Sequence, residues 1–135
     1  MKFAVRDIAE DGLDVKKTVD PDEIGLDAKD IDLQSKLDIK ARVYRVDDFI
    51  LADVIVTATY GTLCARCLES IDHVRSREFH FDYEVKPDLD TVDVGEDIRQ
   101  EMILGISFRE FCKPDCRGIC KGCGMNLNLE KCKCK

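Results

Sequence analysis

From residue 36 onward the chain alternates. In KLDIKARVYRV, residues 36–46, Leu37, Ile39, Ala41 and Val43 fall on one side, and Lys36, Asp38, Lys40 and Arg42 on the other. That two-residue period predicts a half-buried strand. Asp47-Asp48 marks a tight turn. Residues 49–63, FILADVIVTATYGTL, are rich in β-branched side chains and predict a more buried partner strand. Alternation returns over 71–85, with Phe79, Phe81, Tyr83 and Val85 on one face and Glu78, His80, Asp82 and Glu84 on the other. These three segments predict an antiparallel meander with one wet face. The period then changes. Val94, Ile98 and Met102 recur at i, i+4 and i+8, so residues 94–104 predict a helix that covers the apolar face of the sheet. Asp93 is its expected N-cap, Glu96 completes a capping-box pattern, and Gly105 suits its end. Residues 2–8 predict a short strand. Residues 9–35, acidic and broken by Pro21 and Gly25, predict irregular chain. After Phe111 the apolar pattern stops, and the last 24 residues hold too little apolar content to fold by burial alone. No internal repeat stands out. The expected class is α+β: an antiparallel β-meander with one main helix and a C-terminal Cys-rich tail.

Composition sharpens this picture. At 135 residues the chain predicts one domain, or one domain with a small appendage. Charged residues are 36%, against a usual value of about 25%, and Trp is absent, so the core is thin. The net charge of −7 is unevenly spread: residues 105–135 hold seven Lys or Arg against three acids, a net of +4, which leaves −11 on residues 1–104. We therefore expect an acidic body over 1–108 and a basic tail over 109–135, fused as one unit if body and tail share a metal. The overall acidity excludes a surface that coats nucleic acid throughout. No window approaches 18 apolar residues, so no transmembrane helix is expected. The opening MKFAVRDIAEDGLD has no apolar h-region, so no signal peptide is predicted and the cytoplasm is the expected location.

Eight cysteines in such a chain point to metal ligation before disulfides. Cys64/Cys67 and Cys120/Cys123 form two Cys-x-x-Cys pairs, with Cys112 and Cys116 before the second pair and Cys132 and Cys134 after it. A Cys-x-x-Cys turn sets two sulfurs on one ion, and Zn²⁺ takes four thiolates in a closed tetrahedron. Gly118, Gly122 and Gly124 give such turns a loose backbone. Eight thiols suit two structural zinc ions. One arrangement pairs Cys120, Cys123, Cys132 and Cys134, and joins Cys64 and Cys67 to Cys112 and Cys116. The other exchanges Cys112/Cys116 with Cys132/Cys134. A thioredoxin-like role requires a helix N-terminus beside the first thiol, whereas Cys64 stands between two predicted strands. His73 is a weaker ligand candidate, and His80 belongs to the polar strand face. No nucleophile elbow, Walker loop or Gly-x-Gly-x-x-Gly occurs. No catalytic residues, and no small-molecule substrate, are predicted.

These motifs carry a resemblance. Cys64-Ala65-Arg66-Cys67-Leu68-Glu69 resembles the C-x-R-C-L-E signature of the YceD family, the large ribosomal RNA subunit accumulation proteins. The tail resembles it further: Cys112, Asp115-Cys116-Arg117-Gly118-Ile119-Cys120, Cys123-Gly124-Met125-Asn126-Leu127-Asn128, and Cys132-Lys133-Cys134. Residues 92–104 are similar to the family's helix. Ser70 and Lys121 stand where Pro is frequent in the family, and neither change removes a ligand. The resemblance implies a non-catalytic accessory factor for large-subunit ribosomal RNA accumulation, in contact with that RNA's precursor or with a ribosomal protein. Arg109, Lys113, Arg117, Lys121, Lys131 and Lys133 are the expected phosphate contacts. The alternative is an adaptor that docks a basic protein on Glu78, Asp82 and Glu84. A thiol redox or zinc-sensing protein is the third reading.

Overall fold

The computed structural model describes residues 1–26, 33, 35–105 and 110–134. Its first strand, β1 (Lys2–Ala4), leads through a 3-10 turn at Val5–Asp7 to β2 (Leu13–Val19). A second 3-10 turn, Pro21–Ile24, precedes β3 (Leu37–Val46), β4 (Phe49–Leu63) and β5 (Ser70–Glu84). The short β6 (Thr91–Asp93) runs into the helix α1 (Val94–Leu104). Strands β2-β3-β4-β5 make one antiparallel meander, and β1 pairs with β6 in a separate two-stranded ladder with Phe3 opposite Val92. The class is α+β, as expected, with strands predominating.

Three of the anticipated elements match their sequence pattern. Leu37, Ile39, Ala41 and Val43 are all buried, while the polar side chains between them are exposed. Asp47, in the two-residue turn to β4, takes a left-handed φ of 51°, which Asp tolerates better than most residues. Along α1, Val94, Ile98 and Met102 are buried against the sheet, together with Val5, Ile8, Val19 and Leu26. Asp93 caps the helix by accepting from Gly95 N at 3.1 Å and Glu96 N at 3.4 Å. Glu96 does not complete the box. Its carboxylate accepts from Arg99 and Gln100 one turn on.

Two expectations need correction. Residues 9–35 are not irregular throughout, because Leu13–Val19 forms an edge strand beside β3; residues 27–32 and 34 lie outside the described set. Residues 2–8 form strand only over 2–4, since the chain turns at Val5. As expected, β4 is more buried than β3, its outer face being mostly half-buried. Ile50, Ala52, Val54, Val56 and Ala58 point into the core, whereas Ile55 lies on the outer face. On that outer face a cross-strand row runs Lys16, Lys40, Ile55, Glu78, and the next runs Asp14, Arg42, Asp53, His80. Glu78, Asp82 and Glu84 are exposed as expected, with Lys40 and Arg42 two strands away on the same surface.

The sheet is uneven in length. Pairing between β3 and β4 stops at Asp38–Thr57, whereas β4 and β5 continue from Ala58–Arg75 to Leu63–Ser70. This two-stranded arm is touched at its base by Leu33, which bridges Tyr60, and by the Ser35 hydroxyl, which accepts from Thr59 N at 3.0 Å, and runs on past them. A lone ribbon has little stability of its own. The loop at its tip, residues 64–69, holds the first Cys-x-x-Cys pair.

Candidate metal centres

Each Cys-x-x-Cys folds as a tight knuckle, and the two knuckles share one hydrogen-bond plan. In the first, Leu68 N donates to Cys64 O at 2.9 Å and Cys64 N donates to Glu69 O at 2.9 Å. In the second, Gly124 N donates to Cys120 O at 2.9 Å and Cys120 N to Met125 O at 2.8 Å. The residue after the second Cys is left-handed in both, with φ 61° at Leu68 and 71° at Gly124. The chain thus contains a structural repeat that its sequence scarcely shows. The only common signal is Cys-x-x-Cys itself.

Around these knuckles the eight thiols gather into two groups, Cys64/Cys67/Cys112/Cys116 and Cys120/Cys123/Cys132/Cys134, with the sulfurs of each group within 4.8 Å of one another. The exchanged arrangement is not the one adopted. Both groups suit a zinc ion. Four sulfurs at about 2.3 Å from zinc stand about 3.8 Å apart along the edges of a tetrahedron. Cys64–Cys116 and Cys67–Cys112 are each 3.7 Å apart, and Cys123–Cys132 and Cys120–Cys134 are 3.8 and 3.9 Å apart. Cys120–Cys132 is tighter, at 3.1 Å. All eight are free thiols.

Electrostatics divides the thiols within each group. Burial raises the Cys64 thiol, but N–H donors from Cys67, Cys112 and Arg66 outweigh it and bring it down to about 6. Burial and the neighbouring sulfurs push Cys112 up to about 12. In the second group, the Cys123 N–H and the Cys132 thiol lower Cys120 to about 6, while Cys132 and Cys123 push Cys134 up to about 12. Without a cation, crowding keeps part of each group protonated. A divalent ion removes that conflict.

The centres differ in surroundings. Cys64, Cys67 and Cys116 are buried with Ile71 as a small core of their own. Cys123, Cys132 and Cys134 are exposed. Arg66 ties the first knuckle to the tail: its guanidinium donates to Pro114 O at 3.3 Å and Cys116 O at 3.2 Å and lies 4.5 Å over the Phe111 ring. Ile119 N donates to Arg66 O at 3.2 Å. Asn126 donates to Glu69 at 3.1 Å, and Asn128 Nδ2 donates to Cys116 Sγ at 3.3 Å. The sequence reading assigned no role to Arg66, Asn126 or Asn128, although all three stand inside the motifs that carry the resemblance.

The other candidates are readily placed. Lys113, Arg117, Lys121, Lys131 and Lys133 are exposed around the thiol groups, and Arg109 lies outside the described residues. Arg117 and Lys131 flank a groove of about 440 Å³. His73 belongs to neither thiol group; its ring sits 6.3 Å from that of Tyr60. His80 is exposed on the outer face, with Nδ1 2.8 Å from Asp53 Oδ1. No helix among the described residues is long and apolar enough to cross a membrane.

Comparison with known proteins adds to this geometry. The family model of the large ribosomal RNA subunit accumulation protein YceD matches residues 78–135. An uncharacterized protein of Mycobacterium tuberculosis (strain H37Rv) is 29% identical over 125 residues, covering 82% of this chain and 60% of its own length. One from Mycobacterium leprae is 28% identical over 122 residues, covering 79% and 56%. The chain thus spans about 60% or less of these curated relatives. The Arabidopsis thaliana large ribosomal RNA subunit accumulation protein YCED homolog 1, chloroplastic, is 39% identical over 57 residues, covering 42% of this chain and 16% of its own. No solved structure matches. The match over residues 78–135 and the plant relatives make the C-terminal part of the chain similar to the YceD family.

Proposed function

We propose that this protein is a non-catalytic accessory factor for the accumulation of large-subunit ribosomal RNA, with two structural zinc ions and direct contact between its basic tail and RNA phosphate. Two compact groups of four thiols, the buried one with the sulfur spacing of a zinc tetrahedron, support the metal assignment most directly. Four thiolates leave no open coordination position, so such an ion builds structure and activates no water. When bound, each zinc with its four thiolates carries a charge of about −2. Lys113, Arg117, Lys121, Lys131 and Lys133 are exposed around these centres. They offset that charge locally and offer Nζ and guanidinium donors to phosphate oxygens. The names of the plant relatives support the ribosomal context.

Gradient sedimentation of the tagged protein from its own lysate, at low and high salt, tests the assignment. Co-migration with large-subunit precursors that is lost at high salt is expected, because phosphate contacts release counterions. The K121E/K131E/K133E variant should bind precursor RNA more weakly and with a shallower salt dependence. Unchanged binding by this variant would sink direct RNA contact. Co-migration that survives K121E/K131E/K133E but is lost in E78K/D82K/E84K would favour docking of a basic protein on the outer end of β5, where these acids are exposed.

A further inference from the structure

We infer that the two metal centres load cooperatively, and that Asn128 is the positioning residue that couples them. The inference rests on the reading that both centres hold zinc. Asn128 lies in the loop between Cys123 and Cys132, ligands of the exposed centre, yet its side chain serves the buried one. Its Nδ2 donates to Cys116 Sγ at 3.3 Å. Its Oδ1 accepts from the backbone N of Arg117 at 2.9 Å. A peptide N–H can only donate, so Oδ1 must face Arg117 and the amide nitrogen must face the sulfur. Donation of this kind stabilises a thiolate and fixes its direction.

The loop that presents Asn128 is tied to the stretch after Cys116 by a short backbone ladder, Leu127 N donating to Gly118 O at 2.8 Å and Asn126 bridging Ile119, and its remaining supports are internal. Asn128 N and Nδ2 both donate to Asn126 Oδ1, at 3.0 and 2.9 Å, and Leu129 N and Glu130 N return to Asn126 O. Asn126 reaches across to Glu69 on the first knuckle. Leu129 is exposed, and among the described residues none after Cys116 belongs to a buried apolar cluster. Order in 120–134 therefore depends on that short ladder and on its four thiols being drawn together. Zinc in the exposed centre holds Asn128 against Cys116. Empty, that centre frees the loop, and Cys116 loses its donor. By linkage, zinc in the buried centre must strengthen the exposed one by the same factor.

The test uses the full chain, native mass spectrometry to count bound zinc, and chelator competition to rank the two affinities. Groups that hydrogen-bond a metal ligand typically govern affinity by about 10- to 100-fold. Emptying the exposed centre with C132A/C134A should weaken the buried centre by a factor in that range. N128D keeps the acceptor for Arg117 N and all eight ligands but loses the donor, and should weaken the buried centre comparably while two ions still bind. Its cobalt-loaded form should show a shifted thiolate-to-cobalt charge-transfer band. Adding N128D to C132A/C134A should cost little more, since both cut the same link. An unchanged buried-centre affinity in either variant overturns the coupling and leaves the zinc reading intact. A wild-type chain that takes up no zinc overturns both.

Discussion

Leu68 and Gly124 occupy the same left-handed corner of the two knuckles. For a residue with a side chain that conformation costs about 1–2 kcal/mol. The first knuckle bears this cost and the second avoids it. A Cβ on Gly124 would meet nothing within 4 Å, so G124A should lower the stability of the zinc-loaded protein by about 1 kcal/mol, from strain alone. Gly118 combines a φ of +77° with a Cβ position only 3.0 Å from the carbonyl oxygen of Arg66. G118A should cost more than G124A and push the tail off the first knuckle. Thermal unfolding of both variants checks the order; equal losses would mean that this approach is slack. At this scale the sequence discloses residue types and conceals their partners. Clustered cysteines announce metal chemistry unaided. Arg66 and Pro114 are 48 positions apart, and Asn126 and Glu69 are 57 apart, so nothing local signals that they meet.

Among the elements, the sheet and the helix are joined by a polar clasp as well as by their core. The Tyr83 hydroxyl on β5 donates to Asp97 on α1. Burial and the adjacent Asp97 carboxylate push the phenol well above its usual range. Y83F should lose about 1 kcal/mol in urea unfolding at neutral pH, with an unchanged slope. The neutral phenol is the favoured form in the folded protein, so this advantage is complete below the unfolded value of about 10 and declines as pH rises beyond it. Wild type and Y83F should therefore converge only above pH ~10; a gap that narrows below pH 9 would contradict the clasp. Elements with one buried face were legible for a physical reason, as β3, β5 and α1 show. Burial on one side imprints a period on the residue order. In β4 the density of β-branched residues marked a more buried strand, whose outer face is mostly half-buried where that of β3 is largely exposed. Strand β2 escaped notice because, as an edge strand, it fully buries only Val19.

The whole molecule has two cores of different chemistry, an apolar one beneath α1 and a sulfur one at the tip of the β4–β5 arm. Chelation at neutral pH should dissolve the second and spare the first. Hydrogen exchange should then quicken over 58–75 and 110–134 while 37–57 stays protected; unchanged protection in the tail would exclude structural metal. Metal takes the thiolates, and crowding holds protons on Cys112 and Cys134, so zinc binding must expel protons. Affinity should fall as pH drops from 8 to 6, measured by competition with a chelator of known pH dependence, and a flat profile would rule out ligation by four thiolates. The spacing of the thiols in each group also sets a clock. Sulfurs of the buried centre come from residues 45 and 52 positions apart, those of the exposed centre from residues 12 and 14 apart. At about 5–20 residues per second of synthesis, Cys64 and Cys67 leave the ribosome roughly 2–10 s before Cys112 and Cys116. For that interval the arm is an unclosed hairpin with two unclaimed thiols, and each new molecule passes through a window in which an oxidant or a competing metal has access to them before their partners arrive.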